Sequence, residues 1–81
     1  MAHKHEFGMR WDVRVPRNAI RRRIDRLHVG VPETEVETMI VAACNNSAGF
    51  TPALVRQSVK FALEVHRRNG VFFQRVMSGR L

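Results

Sequence analysis

Residues Arg10 to Val41, RWDVRVPRNAIRRRIDRLHVGVPETEVETMIV, decide how the chain is read. The stretch opens with alternation: Trp11, Val13 and Val15 are apolar, and Arg10, Asp12 and Arg14 lie between them. A period of two predicts a strand over 10–15 with one buried and one polar face. Pro16 has no N–H to give to a ladder, and its fixed φ suits the first turn of a helix. Ile20, Ile24 and Leu27 follow at helical spacing among Arg17, Arg21, Arg22, Arg23 and Arg26. That pattern predicts a basic amphipathic helix over about 17–28. Gly30 stops it and Pro32 opens a second helix over about 33–45, with Val36, Met39, Ile40 and Ala43 on its apolar face.

Outward from this stretch the signals are simpler. The polar, His-rich segment 1–8 (MAHKHEFG) reads as a mobile arm, and His3 with His5 lacks the further ligands a metal site needs. Residues 45–49 form a polar hinge, after which Thr51 is placed to cap a third helix that starts at Pro52. Leu54, Val55, Val59, Phe61, Ala62, Leu63 and Val65 give that helix a wide apolar arc, while Arg56, Lys60, Glu64 and Arg67 share the opposite side. Asn69-Gly70 is a helix stop signal, so the third helix is expected to end at about 69. The tail 71–77 fits a short helix or a strand equally well, and Phe72 and Phe73 need cover from the core or a second subunit. The expected organisation is one compact domain with an arm (1–8), a strand-helix-helix unit (9–45) and a helical extension (46–81).

With 14 Lys and Arg against 7 Asp and Glu, the chain carries a net charge of +7 over 81 residues. Such a balance favours a polyanionic partner, and the dominance of Arg suits phosphate and guanine edges. A chain this short has a marginal core that a second subunit would supplement. Cys44 is the single cysteine, which excludes an internal disulfide and a Cys-based zinc site. It is expected to be a small buried hydrophobe. The longest apolar run, Met39 to Cys44, is too short to span a bilayer, and no leader pattern opens the chain. A soluble, cytoplasmic protein is expected.

The glycines are isolated, so no phosphate-cradling loop exists, and no local motif joins His28, His66 and Cys44 into a nucleophile–base pair. Glu33, Glu35 and Glu37 are explained by the dipole at a helix start. No enzyme activity, cofactor or metal is therefore expected. The same three glutamates make helix two a poor candidate for a DNA groove, which excludes a plain helix-turn-helix.

The pieces RWDVRVP, AIRRRIDRL, Gly30 and the run from Val36 to Ile40 resemble the ribbon-helix-helix repressors, the family of the Arc and methionine repressors, over residues 10–43. The resemblance implies a mainly α fold with a short N-terminal β-strand that pairs with the same strand of a second subunit. The resulting ribbon would enter the major groove, with Arg10, Asp12 and Arg14 reading bases and Trp11, Val13 and Val15 packed inward. The start of helix two, at Pro32 to Thr34, would then lie near phosphate. The rival architecture is a monomeric α+β domain whose strand 10–15 pairs with 71–77.

Two functions follow. The first is a dimeric protein that binds double-stranded DNA, as a transcriptional repressor or a plasmid or phage accessory factor. Its candidate DNA-binding residues are Arg10, Asp12, Arg14, Arg17 and Arg21, with Arg56, Lys60 and Arg67 as a secondary basic face. The second is a protein–protein interaction module, an adaptor or inhibitor working through helix 52–69 and the 71–77 tail. A protein partner through the C-terminal half is compatible with both. RNA is less favoured, because no motif groups the aromatic residues into a stacking platform.

Overall fold

Pro16 determines how the fold begins. Its backbone, at φ −79° and ψ 73°, forms the centre of an inverse γ-turn. The Arg17 N–H closes that turn by donating to the Val15 carbonyl at 2.8 Å. The chain therefore bends directly into helix α1 (Arg17–Asp25). Val15 and Ile20 are both buried in the core, in the positions of a hydrophobic staple that fixes how a chain enters a helix. The computed structural model describes residues 14–79. Arg10, Trp11, Asp12 and Val13 of the expected strand, and the 1–8 arm, lie outside the described residues.

Helix α1 ends three residues before the expected boundary. The Leu27 N–H donates to the Ile24 carbonyl at 2.9 Å, and the chain then turns through His28 to Gly30. The Gly30 N–H donates to His28 Nδ1 at 3.0 Å, which pins the turn locally. Helix α2 (Glu33–Asn45) has the expected bounds. The Pro32 carbonyl accepts from the N–H groups of Glu35 and Val36, and Val36, Ile40 and Cys44 are buried along one line at i, i+4 and i+8. Gly49, at φ +91°, takes the left-handed conformation that the α2–α3 turn requires. Thr51 Oγ1 then accepts from the Leu54 N–H at 3.1 Å, the capping bond its position predicts.

Helix α3 (Pro52–Gly79) runs to 28 residues, straight through Asn69-Gly70. This corrects two expectations: the helix does not stop at 69, and the tail 71–77 is not a strand. The reason is physical. A helix already nucleated over five turns extends at small cost, and one interior glycine costs only about 1 kcal/mol. No proline follows, and Phe72–Val76 and Phe73–Met77 are favourable i, i+4 pairs. Asn69 does not cap the helix, because its side chain bonds Asp25 instead.

The described residues form three helices, α1, α2 and α3, with no strand among them. The described residues therefore show neither the ribbon-helix-helix architecture with its N-terminal β-strand nor the α+β alternative, whose second strand, 71–77, lies inside α3. Arg14 and Val15 sit in a turn and bend, and the Val15 carbonyl is used by the γ-turn rather than by a ladder. Of the strand's expected inward side chains, Val15 alone is described, and it is buried.

Helices α1 and α2 both pack on α3. The core joins Ile20 and Ile24 of α1, Val36, Ile40 and Cys44 of α2, and Leu54, Phe61, Ala62 and Val65 of α3. Ser58 sits in the same buried face, and its hydroxyl has no hydrogen-bond partner. A buried hydroxyl left unpaired costs about 1–3 kcal/mol. Ser58→Ala is therefore expected to raise the thermal midpoint by several degrees, as read by circular dichroism, and a lower midpoint would contradict this packing.

Candidate nucleic-acid interface

The chemistry of the surface is concentrated on α1. Ile20 and Ile24 are its buried residues, and the arginines between them must point elsewhere. At about 100° per residue, Arg22 lies roughly 160–200° round the helix from both isoleucines, and Arg26 at the C-cap falls on the same outward side. Arg17 and Arg21 lie on one flank and Arg23 on the other. All five are exposed.

Arginines at this density usually find local carboxylates. Here the single acid of α1, Asp25, is ion-paired with none of them among the described residues, and its Oδ1 accepts from Asn69 Nδ2 at 2.9 Å. Arg17, Arg22, Arg23 and Arg26 make no ion pair among the described residues. The Arg21 guanidinium lies 5.6 Å from the centre of the Phe61 ring, a cation–π distance that holds its stem against α3 while leaving the charge intact. Asp25 lies within helical reach of Arg21, Arg22 and Arg26, yet it forms an ion pair with none of them among the described residues.

One turn of α3 holds this face in place. His66 is buried, and its Nε2 donates to the Val31 carbonyl at 2.7 Å. Arg67 grips Glu33 bidentately, Nε to Oε2 at 2.7 Å and Nη2 to Oε1 at 3.0 Å. Asn69 reaches the end of α1. These three side chains tie the α1–α2 turn, the start of α2 and the end of α1 to α3. The Arg67 hydrogen bonds and charge hold the Glu33 carboxyl below the usual carboxylate range, and its partner's guanidinium is shifted up. A depressed carboxyl pKa stabilises the folded state above the ordinary glutamate value, and that contribution is lost as pH falls through the folded one. Glu33→Gln is accordingly expected to be less stable than wild type at neutral pH, with the two melting curves converging on acidification. Parallel curves would contradict the pairing.

The clamp also relocates a predicted site residue. Arg67 was expected to join Arg56 and Lys60 in a secondary basic face, but Glu33 neutralises it. Arg56 and Lys60 stay exposed one turn apart on α3. Arg14 is exposed beside α1, whereas Arg10 and Asp12 lie outside the described residues. Arg17 and Arg21 do come together, at i and i+4. Arg22, Arg23 and Arg26 were absent from the expected site, although their angular distance from Ile20 and Ile24 was available in the sequence.

Elsewhere, Glu35 and Glu37 are exposed at the start of α2, which leaves Asp25 as the single acid of α1. A cleft of about 350 Å³ lies between α1 and α2, with Ile20, Ile40, Cys44 and Phe50 in its walls and Arg14 and Arg23 beside them. Cys44 is buried there as a core residue. Among the described residues no three His, Cys, Asp or Glu side chains are grouped to hold a metal. No helix among them is long and apolar enough to cross a membrane. Comparison of the chain with protein-family models, with curated proteins and with solved structures found no match.

Proposed function

We propose that the chain is a small basic protein that binds double-stranded DNA through the arginine face of α1. It would act in the cytoplasm as a transcriptional repressor or as a plasmid or phage accessory factor. The observation that supports this reading is the arginine surface of residues 17–26, where Arg17, Arg22, Arg23 and Arg26 are exposed and make no ion pair among the described residues. Arg22 and Arg26 project from the body one helical turn apart and suit backbone phosphates. A helix fits the major groove, and an arginine there can pair bidentately with guanine. The glutamates at the start of α2 keep that helix off the phosphates. No β-ribbon enters this reading.

The test is anisotropy of the full chain with a labelled random-sequence duplex across a salt series. About four neutralised phosphates predict a slope of roughly −3 to −4 in log K against log salt. A selected-sequence pool then shows whether base readout adds to this. Absence of binding at low salt, or binding indifferent to salt, would overturn the proposal and favour an acidic protein surface as the partner of α1.

A further inference from the structure

The core-facing stripe of α3 does not end where the core ends. Leu54, Phe61, Ala62 and Val65 are buried against α1 and α2. The same stripe continues at helical spacing as Phe72, Phe73, Val76 and Met77, beyond the α1–α2 turn that α3 grips at His66 to Asn69. These four are 68%, 47%, 44% and 50% exposed. Residues 70–79 thus project about 15 Å past the packed body as a helix with an uncovered apolar face.

We infer that this face is the interface of a homodimer, in which the projecting ends of two α3 helices pack antiparallel about a two-fold axis. Three observations select a second copy as the occupant. The stripe carries no charge: Arg75 falls roughly 130° round the helix from its centre, and Arg68, paired with Glu64, lies off it on the same side. A neutral, apolar face is self-complementary, as a two-fold interface requires, whereas an acidic partner would find the arginines turned away. The area suits a weak, transient pair. The four side chains expose on the order of 400 Å² per copy, so their pairing buries at most about 800 Å², below the roughly 1,200 Å² of stable specific interfaces. Finally, the length of the projection sets a register. Antiparallel overlap of 70–79 with itself places Phe72 opposite Met77 of the partner subunit and Phe73 opposite Val76 of the partner subunit, and carries each tip to the other copy's α1–α2 turn.

The dimer is weak and concentration-dependent. Two chains of +7 repel at long range, so added salt tightens it, the reverse of its effect on a DNA complex. The inference is independent of the DNA-binding reading.

Sedimentation of the full chain across a micromolar to millimolar series, at low and high salt, tests it. Wild type is expected to approach twice 9.4 kDa, and to do so at lower concentration in high salt. Phe73→Glu and Val76→Lys are each expected to stay monomeric at unchanged helicity, since both positions lie outside the core. A one-to-one mixture of the two is expected to regain the dimer mass, because the register sets the new charges against each other. Gln74→Glu, on the far side of the helix, is expected to dimerise as wild type does. A wild type that stays monomeric throughout would overturn the inference, and so would dimeric single variants. A monomeric mixture would overturn the antiparallel register. Monomeric wild type that sediments with phosphatidylserine vesicles would replace the second copy with a lipid surface.

Discussion

Replacing Arg22 and Arg26 together with alanine is expected to lower affinity for duplex DNA on the order of 50-fold at 0.1 M salt. The magnitude follows from counterion release: each neutralised phosphate contributes about 0.9 to the salt slope, so losing two flattens it by nearly 2. Referred to 1 M salt, each lost contact is worth somewhat under tenfold at 0.1 M. The fold should not suffer, because both side chains are exposed opposite the buried isoleucines and alanine is the better helix former. Arg56→Ala with Lys60→Ala removes the same two charges from α3, away from this face. Diffuse attraction to a +7 chain would make the two pairs equivalent. Docking through α1 makes the first pair dominant, and titrations of both variants in one salt series separate the cases.

Ile24→Ala is expected to be the most damaging truncation in the core. Ile24 is fully buried where α1 packs on α3, and such truncations cost about 2–5 kcal/mol. A domain of this size has in all only about 4–12 kcal/mol of stability. A loss of about 3 kcal/mol lowers the thermal midpoint by roughly 12–24 °C. Denaturant titration should show a lower midpoint at unchanged slope. Phe72→Ala removes a larger side chain from the projecting end of α3 and is expected to leave the midpoint nearly unchanged at concentrations where the chain is monomeric. If the two effects were reversed, the core would not be where Ile24, Val36 and Ile40 place it.

Sequence reasoning succeeded where the determinants were local. Pro32 with the glutamates after it marks the start of α2, and Thr51-Pro52 marks the start of α3, because caps and prolines act within one turn. Reasoning failed where distant packing decided. Asn69-Gly70 reads as a stop, but Asn69 is used by Asp25, 44 residues earlier in the chain. Arg67 reads as free surface charge until Glu33, 34 residues away, is brought to it. The alternation that suggested a strand does describe Val15 facing inward, yet Pro16 closes a γ-turn there and spends the carbonyl a ladder would need. The basic character of α1 was plain from composition. That Asp25 would bond Asn69 was not, since the two are 44 residues apart in the chain.

The most direct test of the α1 interface is an amide chemical-shift titration of the ¹⁵N-labelled full chain with a short duplex. The largest changes are expected at Arg17 to Arg26, with little change at Arg56 and Lys60 or at Glu35 and Glu37. Changes concentrated on α3 or at the start of α2, with α1 silent, would contradict it.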